Sequence, residues 1–552
     1  MNLVCVTLIV LSLFMSVSGC PLGCECLKDK NLASCTSAEF DSVPKGFPTY
    51  ITEISLVDNN IQTLRGKAFQ WQLPLIKLDM SENSISDINP EAFGAKSKKY
   101  GSKGEMTNTL QSLSLRSNKL SFIPTDALEK LHQLRELSLA DNKISVIKSS
   151  SFNSLLHLIQ LDLSKNLIEM TAVDAFQDLQ DLEILDLSSN SISVLSPSTF
   201  GHLSSLKQLH MNRNSIRKIH PLAFNHFTML QELHLAVNRI DEIPDGVFAL
   251  TASTLLLLDM SRNEIKKLKS TTFKGLKLLQ SLKLSHNLLT QLFDAQTKTG
   301  VFMHLTSLKM LKLDSNRIEM LQDLSLEGLP QLQELTLTGN LIKVFPNVNL
   351  PSLERLDLSA NLLSNINESH LQELPFLERL DLSDNVIIDV TANAFSECHR
   401  LRSLHLERNR LKTPYTTWMT SQRFRHKRPH MNSCAGHLAG NAWLCDCRTM
   451  AFARSVAKSR AATVENEKIY VNSDVMMCDG PEQFKGLTLT EFAVNSNLKC
   501  DVTISLKMQY WLWILFGSVV LFVIFYAGKY FSVRFTCWIG DKTFTKPNSK
   551  HL

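Results

Sequence analysis

The chain has 552 residues, long enough for several domains, and carries 58 Lys and Arg against 53 Asp and Glu, a formal net charge of +5. That excess does not point to nucleic acid. Residues 1–19 and 510–528 hold no charged residue, and near the C-terminus Lys529, Arg534, Lys542, Lys546 and Lys550 oppose only Asp541, so the basic character is local to a tail. No H-E-x-x-H, G-x-S-x-G, G-x-G-x-x-G or phosphate-binding loop occurs, and glycine is sparse at 20 residues. The composition therefore argues against an enzyme, and no cofactor is expected.

Residues 1–19, MNLVCVTLIVLSLFMSVSG, read as a secretory signal: the apolar run is right, and Val17 and Gly19 suit a small-residue cleavage site, although the first residues lack a Lys or Arg. Val-Ser-Gly-Cys at 17–20 also has the form of a bacterial lipoprotein cleavage box, but the cysteines that follow give Cys20 a better role. Cys20, Cys24, Cys26 and Cys35 cluster within residues 20–50. In a secreted chain four such cysteines read as two disulfides, and the oxidising compartment argues against zinc.

From about Ile51 to Leu411 one line recurs. At 182–195 it is L-E-I-L-D-L-S-S-N-S-I-S-V-L, in which Leu182, Leu185 and Leu187 precede Asn190, Ile192 and Leu195. This is the leucine-rich-repeat pattern. Its asparagine returns at Asn59, Asn83, Asn118, Asn142, Asn166, Asn190, Asn214, Asn238, Asn263, Asn287, Asn316, Asn340, Asn361, Asn385 and Asn409. The L-x-L alternation puts leucines inward and the residue between them outward, so stacked units give a parallel sheet over a continuous column of leucine. The asparagine amide is expected to bond backbone groups of its own and the neighbouring turn. Phe69, Phe93, Phe152, Phe176, Phe200, Phe224, Phe248, Phe273 and Phe395 recur ten positions after the asparagine, with Leu128, Leu326 and Leu371 replacing them in three repeats. They predict a second buried row. The 24-residue spacing breaks at an AKSKKYGSKGE insertion (95–105), at Asn263, near DAQTKTG before Asn316, and at a shortened 21-residue unit ending at Asn361.

After Leu411 the period is lost. Residues 412–440 are an irregular basic segment and a degenerate last repeat, and 441–509 bring NAWLCDC followed by Cys478 and Cys500. Residues 510–528, YWLWILFGSVVLFVIFYAG, are long and apolar enough to span a bilayer as a helix, with Tyr510, Trp511 and Trp513 at one edge and Tyr526 and Tyr530 at the other. The basic side predicts a cytoplasmic tail, 529–552, and a single-pass protein in the plasma membrane with its repeats outside. That tail has no room for an enzyme domain. Cys537, close to the membrane, is a candidate for palmitoylation.

The stretch from about 20 to 528 resembles single-pass extracellular leucine-rich-repeat proteins, with caps similar to those of Slit, the Nogo receptor and the LRIG group. Immunoglobulin domains, which LRIG proteins carry after the cap, are absent, and Ala442 stands where the cap pattern usually has Pro. The resemblance implies an α/β-type solenoid, a horseshoe with its parallel sheet on the concave face. It also implies the disulfides Cys20–Cys26, Cys24–Cys35, Cys445–Cys478 and Cys447–Cys500. Cys398 and Cys434 are left over by the caps and fall in consecutive turns, as a mutual bond or as two buried thiols.

The expected working surface is the concave sheet. Its outward residues include Asp162, Asp186, His210, His234, Asp259, Lys283, Lys312, Asp357 and Asp381, flanked by Arg355 and Arg379. Mixed signs suit a folded protein ligand better than a polyanion, though any solvated sheet must carry polar residues. His210 and His234 on adjacent rungs have the spacing of a metal or pH-sensing pair, but two ligands do not make a site and no metal is assigned. The run Arg423, Arg425, His426, Lys427 and Arg428 reads as a solvated basic loop or as a heparan sulfate site; furin-type cleavage there is opposed by Pro429. Asn367-Glu-Ser369 is a glycosylation sequon on the convex side. The expected function is cell-surface recognition: adhesion, guidance, or a co-receptor that signals through a lateral partner. Alternatives are an innate-immune sensor without its own signalling domain and an organiser of extracellular matrix at an epithelial surface.

Overall fold

The computed structural model describes residues 19–69, 74–94, 109–201, 203–249, 251, 253–322, 324–347, 349–418, 435–461, 470–471 and 476–495. Most of the expected signal, the inserted stretch at 95–105, the basic run at 423–428, Cys434, Cys500, the apolar span 510–528 and the expected tail with Cys537 lie outside the described residues. No helix among the described residues is long and apolar enough to cross a membrane.

The chain winds as a solenoid around a 19-stranded sheet. Most turns contribute three residues of pattern x-Leu-x, with Ala33, Ile54 and Gly436 at the central place near the ends, and the central leucines stack in register, as Leu161 against Leu185 and Leu185 against Leu209. All of these leucines are fully buried, each contributing about 1.5–3 kcal/mol relative to exposure. No single turn could exclude water from its own row, so the column forms only by stacking. On the far flank, short two-residue strands pair between neighbouring turns, as Val146–Ile147 with Met170–Thr171.

The asparagine is the joint between turns. Asn166 Nδ2 donates to Leu163 O and Ser164 O in its own turn and to Leu139 O in the preceding one, while its Oδ1 accepts from Ile144 N at 3.0 Å. The same set recurs at Asn190, Asn238, Asn287 and Asn385. The residue before each asparagine is always left-handed. This holds from Asp58 (φ 57°) through Asp141, Ser189 and Val237 (φ 58°) to Gly339 and Gly440 (φ 68° each). Only that conformation turns the chain sharply enough to bring the asparagine amide back under its own strand.

The phenylalanine row stacks behind the leucines. Ring centroids lie 6.0 Å apart for Phe69–Phe93 and Phe152–Phe176, and 5.9 Å for Phe224–Phe248, all nearly parallel. The stretch near DAQTKTG is a small hairpin, Phe293–Asp294 against Thr299–Gly300. It moves the row's aromatic downstream, so Phe302 rather than residue 297 stacks on Phe273 at 6.0 Å. In the shortened unit Phe345 fills the core and stacks on His370 at 5.2 Å. Trp418 closes the row against Phe395, edge to face.

Both ends are covered. At the first, Cys20 bonds Cys26 and Cys24 bonds Cys35, and they pin the antiparallel pair Glu25–Leu27 and Leu32–Ser34, whose second strand starts the parallel sheet. At the other, Ala435–His437 and Tyr470–Val471 extend the sheet. Helices Cys447–Ala461 and Leu489–Asn495 pack beside it with buried Trp443. Cys445 bonds Cys478, and Cys447 is also disulfide-bonded.

Three stability measurements test this frame. Asn190→Ala strands the Ile168 N–H and removes one of the two amide donors to the Leu163 carbonyl, and is expected to cost roughly 2 kcal/mol in chemical unfolding. Val237 is a β-branched residue in left-handed backbone; Val237→Asn should raise stability by about 1 kcal/mol. Gly300→Ala would place a Cβ 2.2 Å from Leu324 O and should lower the melting temperature. An unchanged melt would show that the two turns separate freely there.

Candidate functional site

Each x-Leu-x strand exposes its first and third residues, and parallel pairing aligns them into two columns. The third-position column runs Asp162, Asp186, His210, His234, Asp259, Lys283, Lys312, Thr336, Asp357, Asp381, His405 and His437 in continuous register. The first-position column includes Glu136, Gln160, Ile184, Gln208, Glu232, Glu334, Arg355 and Arg379. All eleven residues expected from the sequence to line this surface stand on one face.

The charges on that face answer one another. Lys283 lies 3.7 Å from Asp259, Lys312 3.6 Å and Arg355 3.5 Å from Glu334, and Arg379 3.7 Å from Asp381. At the other end Asp162 and Asp186 are adjacent rungs whose carboxylates take Ser164 N and Ser188 N. Neither is in an ion pair among the described residues. From Asp162 to Asp381 the face thus carries two acidic rungs, an imidazole step and a stretch in which cations and carboxylates pair. Exposed pairs at these distances contribute little stability each. Their effect is to hold side chains in place and leave a patterned, nearly neutral surface.

His210 and His234 stack with ring centroids 4.6 Å apart. His234 Nε2 lies 3.2 Å from Glu232, while burial, with the neighbouring His234 charge, pushes the His210 imidazole below its usual value. Further along, His405 and His437 form a tighter stack at 4.3 Å. Glu407 reaches both. Burial pushes its carboxyl upward, but hydrogen bonds from His405 and its own backbone N–H, with the charges of His405 and His437, outweigh that and hold it below the usual range. Reading the strand triplets alone misses this group, because Glu407 lies two residues past its strand, where most turns carry a small polar residue.

The other expected sites are placed as follows. Asn367 is half-buried, heads the short turn Glu368–His370 away from the sheet face, and accepts through Oδ1 from Ser369 N and Ser369 Oγ. Cys398 is a free, buried thiol, pushed up to about 12 by burial and the nearby Glu397. It sits where neighbouring turns carry Leu155, Leu179, Leu203 and Leu374, so it serves as a small apolar core residue. A strip that sequence reading passed over lies on the flank. Phe122, Val146, Met170 and Val194, each four residues past its asparagine, are 51%, 47%, 70% and 54% exposed.

The leucine-rich-repeat family model matches residues 49–95, 107–144, 132–192, 157–216, 180–240, 228–289, 296–342 and 351–411. Zebrafish (Danio rerio) leucine-rich repeat-containing protein 3 is 29% identical over 127 residues, 23% of this chain and 44% of its own length. Human reticulon-4 receptor-like 2 is 33% identical over 89 residues, 16% of this chain and 21% of its own length. The chain thus spans less than half the length of these relatives. Among solved structures, a chain of the Drosophila Toll–Spatzle complex shares the fold with a TM-score of 0.57 at 18% identity, covering 83% of this chain and 70% of that one. With the family's pattern matched over more than half its length, the chain belongs to the leucine-rich repeat proteins.

Proposed function

We propose that this protein is a cell-surface recognition protein, for adhesion, guidance or co-reception, that binds a folded protein ligand through the exposed face of its long sheet. The observation that carries this reading is the pattern of charge on that face. Acidic rungs at Asp162 and Asp186 and basic rungs at Lys283, Lys312, Arg355 and Arg379 lie on one continuous surface, the basic ones already held by carboxylates. A surface of alternating sign selects a partner of complementary pattern and disfavours a uniform polyanion. Relatives named as receptors, such as reticulon-4 receptor-like 2, support a receptor role. In this reading residues 510–528 anchor the chain in the plasma membrane, and signalling passes through a lateral partner.

The test is a binding screen with soluble, tagged residues 20–509 against a library of cell-surface and secreted proteins. Saturable binding to one protein is expected. Asp186→Lys or Arg379→Glu should weaken it roughly tenfold, equivalent to about 1.4 kcal/mol, while Lys148→Glu, away from the sheet face, should leave it unchanged. Binding that ignores both face reversals and vanishes when Arg425, Lys427 and Arg428 are replaced would move the site to the basic segment and refute the reading.

A further inference from the structure

The last described turns hold a three-residue constellation that the recognition face does not require. His405 and His437 are register partners on adjacent strands, and Glu407 follows His405 by two residues. Among the described residues this is the one group of three or more His, Cys, Asp or Glu whose ligand atoms all come within 4.8 Å of one another. His405 Nδ1 lies 3.2 Å and His437 Nδ1 3.7 Å from the same Glu407 oxygen, Oε1. Two zinc–ligand bonds of about 2.0–2.1 Å in a tetrahedron separate ligand atoms by about 3.4 Å, so both edges measured here are of that size.

Three features distinguish this group from a merely solvated cluster. First, the other oxygen of Glu407, Oε2, is buried and has no hydrogen-bond partner. The carboxylate at the same place of an earlier turn, Asp314, is fully engaged instead, accepting from Ser285 Oγ, Thr336 Oγ1 and Thr338 N. A buried carboxylate left half satisfied is costly, and a cation bound to it removes the cost. Second, Ser403 Oγ lies 2.8 Å from His405 Nε2. Once a cation takes the place of the Nδ1 proton that now bonds Glu407, Nε2 can donate to this hydroxyl, the outer support that ligating histidines commonly have. Third, exposure is graded: the His405 and Glu407 side chains are 16% and 17% exposed and that of His437 is 37%, so the group has a fixed inner wall and one accessible ligand. Asp381, the register partner of His405 on the other side, is occupied by Ser383 and Arg379. Arg408, next in sequence to Glu407, turns away to Asp384.

We infer that His405, Glu407 and His437 form a binding site for a divalent cation of the zinc class, taken through two imidazole nitrogens and one carboxylate with a fourth position open to solvent. Nitrogen and carboxylate donors in this number suit zinc over calcium or magnesium, which take oxygen ligands. The two rings now stack at an interplanar angle of 3°, and a metal lies in the plane of each imidazole it binds. Loading therefore turns the more exposed ring, His437, out of the stack, while His405 stays held by Ser403. The other stacked pair, His210 and His234, has no carboxylate bridging both rings and is not assigned a metal.

The experiment is equilibrium dialysis of the purified full chain, tag-free and stripped with chelator, against zinc chloride at micromolar concentration. Cobalt(II) absorption serves as a second readout of ligand geometry. One equivalent per chain is expected, together with visible cobalt bands of a four-coordinate site. His437→Ala and Glu407→Gln should each weaken zinc binding at least a hundredfold, with the far-ultraviolet circular dichroism unchanged, and the double variant His210→Ala/His234→Ala should bind as the parent does. Absence of zinc above the dialysis background overturns the assignment, as does one equivalent retained in both His437→Ala and Glu407→Gln. Loss of that equivalent in the His210/His234 variant alone would equally overturn it.

Discussion

The structure depends on one repeated bond set: an asparagine amide held under its strand by a left-handed residue before it. Parallel strands of three residues are too short to hold a turn closed, and the backbone leaving them would bury unpaired groups. The asparagine serves those groups at once, two carbonyls in its own turn and a carbonyl and an N–H in the turn before. The leucine column supplies most of the free energy but no register, since leucine packs against leucine with little preference for height. The directional amide bonds fix the height of each turn against the last, and so fix which side chains share a row on the sheet face.

That fixed register is what makes the face a patterned surface. A shift of one residue would exchange Leu185 for Asp186 in the core, so the charge sequence on the outside is tied to the apolar sequence inside. The acidic rungs, the stacked imidazoles and the ion-paired stretch inherit their order from the order of repeats along the chain. Such a surface can be altered rung by rung without disturbing the fold, because the outward positions carry little of its stability.

The solenoid, its sheet and the row of phenylalanines were legible because a 24-residue period exposes every structural position by repetition. Reading failed where the period did. Phe302 is a member of the row that the period does not reveal, since the hairpin at 293–300 shifts it away from the tenth position. Glu407 was missed for a different reason. It occupies a place that is structurally mute in most turns, and only the fold shows that it lies under two rings from adjacent strands. Cys398 illustrates the converse: its chemistry suggested a bond, but its position in the leucine row decided for packing. The left-handed residue before each asparagine was also invisible beforehand, because Asp, Ser, Lys, Arg, His and even Val occupy it, and only the turn demands the conformation.

The asparagine bonds run one way. Every amide completes the turn before it, from Asn59, which serves Ala38, Phe40 and Cys35, to Asn441, which serves Leu406 and Leu411. A turn is therefore never finished by its own residues. As the chain leaves the ribosome, each turn must wait for the asparagine of the next before its last polar groups are satisfied. Ordering then lags synthesis by one repeat and ends at the C-terminal cap. The same polarity makes the two ends unequal in their side-chain bonds: cutting repeats from the C-terminus removes the amide that completes the new last turn, whereas cutting from the N-terminus leaves every remaining turn with its amide and removes only backbone acceptors such as Ile168 O for Ser191 N.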